Sequence, residues 1–282
     1  MSTPSVVFLF GLLLLPTSCD RSQPPASQTP SEQSVPAISA PKDLQAAIDT
    51  LTQAVETLDT PTVLDGYTED FRSGTGRSKE DLREVLASLQ ENNVAVKVER
   101  ITLEDVQTDK ATMRTQLRLR YTDTFHDLGE GEVIVTDVLR HSWRKEDSKW
   151  RIYADERVST YREGRFGDES PNVQLDVPTK IPAETNYGVK VAVQQEVEKS
   201  YQVMLGNYPE DPEILPPPEI TTDLPEDGIL NVTLARNLKG LSEMVKITVI
   251  AIDPDGSWVG ATTMSKFVPG IESDEQADEA QI

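Results

Sequence analysis

The chain has 282 residues, 48 of them acidic and 27 basic, for a formal charge of −21. A body this acidic repels nucleic acid and bare anionic lipid, which excludes both as direct partners. One cysteine excludes an internal disulfide, and two histidines without clustered ligands around them point to no metal centre.

Residues 1–18 carry no charged side chain, and the apolar tract Val6–Leu15 is about half the length needed to span a bilayer as a helix. It has the length of a signal-peptide core. Thr17 and Ser18 follow, then Cys19. An apolar core, small residues and a cysteine resemble a bacterial lipobox. The resemblance implies cleavage before Cys19 and a diacylglyceryl group on its sulfur. It also implies an envelope protein, lipid-anchored and facing the periplasm or the exterior, with the membrane as partner through that lipid alone. The alternative is a plain secretory signal with an incidental cysteine. Residues 19–42 are rich in Ser, Pro and Gln and poor in large apolar residues, which predicts a disordered tether.

Composition divides the rest into a first domain over 43–165, a second over 171–270 and an acidic disordered tail over 271–282. Leu44, Ile48, Leu51, Val55 and Leu58 recur at spacings of three and four and predict an amphipathic helix. Thr60 followed by Pro61 reads as an N-cap opening a short second helix with Val63, Leu64, Tyr67 and Phe71. Ser78 with Asp81 resembles a capping box that starts a third helix, its apolar stripe being Leu82, Val85, Leu86 and Leu89. The Gly74–Thr75–Gly76 stretch lacks the spacing of a phosphate loop and reads as a turn.

Strands come next. Ala111, Met113, Thr115, Leu117, Leu119 and Tyr121 alternate with Thr112, Arg114, Gln116, Arg118 and Arg120, the pattern of a sheet with one wet face. A hairpin turning at Glu146–Ser148 follows. On its first strand Val133, Val135, Leu139 and Trp143 share a face with Asp137 and His141. His126, beside Asp127, reads as exposed.

Three helices followed by a long antiparallel sheet with the hairpin WRKEDSKWRI resemble the nuclear transport factor 2-like superfamily, which includes ketosteroid isomerase-like and polyketide cyclase-like proteins. The resemblance spans about residues 43–160. It implies a cone-shaped α+β domain whose concave sheet and helices enclose a pocket. On that view Tyr67, Phe71, Tyr121, Asp137, His141 and Trp143 are the pocket candidates. Asp137 would serve as base, His141 as proton carrier and the tyrosines as donors if the pocket were catalytic. The other reading is a satisfied structural network. No catalytic residue of the family matches position by position, so the catalytic set is unassigned.

The second domain reads as strands only. Val245, Ile247, Val249 and Ala251 alternate with Lys246 and Thr248, and Asp253–Gly256 is a tight turn. Short strands with regular turn signals point to an immunoglobulin-like β-sandwich. The turn lacks the ligands of a calcium loop. The proline-rich stretch 208–219 reads as a connecting loop.

Three functions follow. The first is a non-catalytic, membrane-anchored module that binds a small hydrophobic ligand or an envelope protein. The second is a small-molecule isomerase or dehydratase, against which stand the missing nucleophile and cofactor fingerprints, so that no cofactor is expected. The third is a structural or assembly protein of the envelope. Arginines 114, 118 and 120 on the exposed sheet face leave homodimerisation open.

Overall fold

The computed structural model describes residues 39–183, 185–196, 198–209, 216, 218–234 and 241–271. Cys19, nearly all of the tether, the tail beyond Ile271 and most of the proline-rich stretch lie outside the described residues.

Helix α1 spans Lys42–Glu56 and buries Leu44, Ile48, Leu51 and Ala54. Helix α2 spans Thr60–Asp65. Its cap is Asp59 rather than Thr60: the Asp59 carboxylate accepts from the Thr62 amide at 3.4 Å and the Thr62 hydroxyl at 2.7 Å. The helix ends before the two aromatics expected on it. Tyr67 and Phe71 lie on strand β1, Tyr67–Ser73, because that backbone pairs with a neighbouring strand instead of continuing to coil. Helix α3, Lys79–Glu91, opens with the expected capping box of Ser78 and Asp81.

Four long strands follow: β2 (Ala95–Val106), β3 (Lys110–Thr124), β4 (Glu130–Glu146) and β5 (Lys149–Phe166). The β4–β5 turn is Asp147–Ser148, both residues left-handed, as two-residue hairpins of right-handed twist require. Then come β6 (Asn172–Asp176), β7 (Ile181–Pro182), β8 (Tyr187–Gln194), β9 (Ser200–Pro209) and β10 (Ile220–Asp223). The last are β11 (Ile229–Leu234), β12 (Glu243–Ile252), β13 (Trp258–Val268) and β14 (Gly270–Ile271). The β12–β13 hairpin turns where expected, the Gly256 amide donating to the Asp253 carbonyl at 2.9 Å.

These strands overturn the expectation of a cone-shaped nuclear transport factor 2-like domain joined to a separate immunoglobulin-like sandwich. A single nine-stranded sheet runs in the order β10-β9-β12-β13-β5-β4-β3-β2, with β1 also paired to β5. The reason is the length of β5. Its 18 residues extend about 60 Å at roughly 3.3 Å each. One edge pairs with β4 along its length. The other edge pairs with β1 at residues 152–155 and with β13 at residues 161–166. An edge left open there would expose unpaired backbone groups, and β13 closes it. The expected break between 165 and 171 is thus a turn at the end of β5, with the sheet passing across it. Gly167 makes that turn in a left-handed conformation, where a Cβ would lie 2.7 Å from the Val259 carbonyl.

The two halves of the sheet are covered on opposite faces. In the first half, α1, α2 and β1 pack Leu44, Ile48, Val63, Tyr67 and Phe71 against Met113, Trp143 and Ile152. In the second half, a three-stranded sheet, β11-β8-β6, covers the other face. There Val189, Val191 and Val193 meet Val203, Val245, Ile247 and Val249, with Tyr161 of β5 packed alongside. Glu243 pins the two layers together from a buried position, accepting from the Tyr187 hydroxyl at 2.6 Å and the Asn207 amide at 2.8 Å.

The uncovered face of the first half carries the expected arginine stripe, and the arginines are paired. Arg114 meets Glu104 at 2.7 Å, Arg118 meets Glu99 at 2.9 Å and Arg120 meets Glu132 at 3.2 Å. Arg140 also reaches Glu104, at 2.8 Å.

Candidate functional site

The polar residues singled out on β4 lie inside the molecule. Asp137 is 1% exposed and His141 5%. Strand alternation aims them at the helix side together with Val133, Val135 and Trp143. Asp137 is flanked across the sheet by Leu117 and Thr160, and its carboxylate accepts from the Thr160 hydroxyl at 2.5 Å. His141 is flanked by Met113 and Asp155. Its Nδ1 is buried without a hydrogen-bond partner, and burial pulls its pKa down to about 4, so the ring is neutral at pH 7.

Asp155 completes the cluster, and sequence reasoning missed it. Plain alternation along β5 would send Ala154, Glu156 and Val158 inward with Ile152 and Thr160. Two bulges change this. The pairing with β4 skips Tyr153 and then Val158. Between those skips the inward positions become Asp155 and Arg157. Bulges re-aim side chains in this way and recur beside functional sites. Burial, and then the nearby Asp137 charge, raise the pKa of Asp155 to about 6, against the pull of Arg157 and Arg77. The phenol of Tyr67 is pushed above its ordinary range by burial and by Asp155. The only sequence signal was the hairpin itself; a bulge has no residue signature in Tyr153 or Val158.

The six pocket candidates separate into three settings. Asp137 and His141 belong to the buried polar cluster with Asp155 and Thr160. Tyr67, Phe71 and Trp143 are packed in the apolar core, the first two edge-to-face with centroids 4.8 Å apart and Trp143 1% exposed. Trp150 fills the same core. Tyr121 is half-buried and stands apart, accepting from Arg162 at 2.8 Å. Two surface clefts have none of the six in their walls. One, of about 490 Å³, lies among Leu64, Arg72 and Lys79, and the other, of about 540 Å³, between Gln53 and Leu103. His126 is exposed, as expected.

Among the described residues no group of three or more His, Cys, Asp or Glu side chains is placed to hold a metal ion. None of the described helices is long and apolar enough to cross a membrane.

No protein-family model matches the sequence, and no curated protein is similar to it. Solved structures give faint likenesses. A protein of unknown function with a cystatin-like fold from Nostoc punctiforme is 16% identical, with 41% of this chain and 86% of that one covered, at a TM-score of 0.31. A putative calcium/calmodulin dependent protein kinase II association domain from Xanthomonas campestris is 17% identical over 47% and 96% of the two chains, at 0.33. An uncharacterized protein with a cystatin-like fold from Caulobacter vibrioides is 12% identical over 41% and 85%, at 0.30. Similarity at this level carries no functional conclusion.

Proposed function

We propose that the chain is a non-catalytic binding module, held at a bacterial envelope membrane by lipid on Cys19. The observation that carries the non-catalytic part is the filled interior. The space beneath the helices where a substrate would sit is taken by Trp143, Trp150, Tyr67, Phe71 and Leu44. The anchor rests on the residues before and at Cys19. It is tested by the intact mass of membrane-extracted protein beside Cys19→Ala. Cleavage before Cys19 plus a diacylglyceryl group, lost in the variant, supports the anchor, and an unmodified mass removes it.

A second reading, a small-molecule isomerase or dehydratase, is favoured by the bulge-aimed Asp155, titrating at about 6 across from a neutral His141. Tryptophan quenching separates the two. Trp258 is exposed while Trp143 and Trp150 are buried. In a Trp258→Phe variant acrylamide should quench the remaining emission only weakly. Quenching close to that of free tryptophan would mean an interior open to small molecules, and would favour the enzyme.

A further inference from the structure

Strand β2 is the outermost strand of the nine-stranded sheet. Strand β3 pairs one edge of it, and no strand among the described residues pairs the other. The pairing with β3 skips Glu99 and Glu104, so residues 100–103, between the two bulges, are its regular part. Opposed residues of an antiparallel pair share a face. Val98, Ile101 and Leu103, opposite Leu117, Thr115 and Met113, therefore face the helices. Along a strand the backbone groups alternate between the two edges in step with the side chains. The Val98 amide fixes the phase: it turns away from β3 and donates to the Glu56 carboxylate of α1 at 3.0 Å. A bulge adds one residue to both alternations, so the N–H and C=O groups of Ile101 and Leu103 also turn to the open edge.

The groove of about 540 Å³ lies along this edge. One wall is a row of α1 at helical spacing, Gln45, Asp49, Thr52 and Glu56, and the other is Ile101 and Leu103 of β2. Its floor is apolar: Ile48 is buried, and Ile101 and Leu103 pack half-buried against the helix-covered core. Its rim is acidic. Asp49 and Glu56 are exposed, and no basic residue lines the walls.

Unpaired backbone groups beside an apolar groove set the chemistry of the guest. An added strand supplies carbonyls and amides along the edge, and every second side chain of it enters the groove. Glu56 shows the demand, its carboxylate standing at Val98 where a strand carbonyl would. The four regular residues allow about 13 Å of pairing, so the guest segment is short. Asp49 and Glu56 are about 10 Å apart along the helix, close to the roughly 13 Å between residues four apart on a strand. A second copy of the chain fits badly, since it brings the same acidic rim and a charge of −21.

We propose that this groove takes a short extended segment of a partner protein as an added strand on β2, with an apolar side chain in the groove and a lysine or arginine two residues to either side, facing Asp49 and Glu56. The proposal rests on the binding-module reading and deepens it, while using neither the Cys19 lipid nor the interior.

The test is fluorescence anisotropy of labelled Thr-Lys-Thr-Val-Thr-Lys-Thr, and of its counterpart with glutamate for lysine, titrated with the full-length protein in detergent. Three variants stand beside it. Thr52→Trp fills the groove from the half-buried side of α1, Leu103→Pro removes an open-edge amide while sparing the bonds to β3, and Asp168→Asn, exposed in the turn after β5, is the control. The lysine peptide should bind at least about tenfold tighter than the glutamate peptide. Leu103→Pro should weaken it about fivefold, the loss expected for one main-chain hydrogen bond, and Thr52→Trp should abolish binding. Asp168→Asn should leave it unchanged. A thermal midpoint of Thr52→Trp near that of the parent separates a blocked groove from a lost fold. No binding of the lysine peptide, equal binding of the glutamate peptide, or binding unchanged in Thr52→Trp would overturn the proposal. So would a dimer in sedimentation that Leu103→Pro dissociates, which gives the edge to a second copy. None of these results moves the acrylamide or Cys19 measurements, so the groove can fail while the binding-module reading stands.

Discussion

The two halves of the nine-stranded sheet solve one problem in opposite ways. A sheet must cover at least one face to bury its apolar side chains. The first half covers one face with three helices and leaves the other to a ladder of Arg–Glu pairs. The second half covers that other face with a three-stranded sheet, and on its helix-side face Val133, Phe166, Ile250 and Ala261 form a smaller apolar cluster. Strand β5 serves both, burying Ile152 toward the helices and Tyr161 toward the small sheet. In both halves acids that neutralise arginines come from another strand, so tertiary pairing decides which cations are left without one. The β3 arginines meet glutamates across the strand gap and Arg162 meets Asp123 at 3.4 Å, whereas the Lys246 ammonium lies 5.8 Å from the Tyr208 ring.

Cutting the chain between the halves should have the largest effect. A fragment ending at Phe166 keeps all three helices and β1–β5 but loses β13, the partner of residues 161–166. It should be insoluble or bind the dye of a molten state, because Tyr161 and Phe166 lose their cover. A fragment with sharp near-ultraviolet circular dichroism and a cooperative melt would instead make the first half an independent domain.

Within the helix-covered half, Trp143→Ala should destabilise by about 3–5 kcal/mol in denaturant unfolding, the cost of a large cavity in a closed core. A loss under about 1 kcal/mol would mean that the interior is loose, which would also weaken the non-catalytic reading.

Asp155→Asn tests the buried polar cluster. Asp155 titrates near 3.8 when unfolded and at about 6 when folded, so the folded state holds the extra proton between those values. Stability from this group falls as pH rises across that window and stays lower above it. His141 has the opposite sign. Its pKa falls from 6.5 to about 4, so stability is lost as pH drops across that range. The asparagine variant should gain up to roughly 3 kcal/mol at pH 7–8 and keep only the His141 slope below pH 6.5. Unfolding midpoints measured from pH 4 to 8 check both. An unchanged profile would place Asp155 in water.

The smallest effect is expected on the outer ladder. Glu104→Gln breaks exposed pairs with both Arg114 and Arg140, yet should cost less than about 1 kcal/mol and less again in high salt. A larger loss would show that the ladder is structural and not merely solvated.

The sequence by itself determined the local elements. The spacing of Leu44, Ile48 and Leu51 set α1, the Ser78 and Asp81 pair set the start of α3, and strict alternation aimed Asp137 and His141 inward. These signals are local, with a period of 3.6 or 2, and need no distant partner. Tertiary structure decided the rest. Nothing in the residues of β5 says that its far edge pairs with β13, more than 90 residues on, nor that Tyr153 and Val158 bulge. Those choices come from closing an open strand edge and from pairing one long strand with two different neighbours, β1 and β13, along the same side. They joined the two halves into one sheet and turned Asp155 inward.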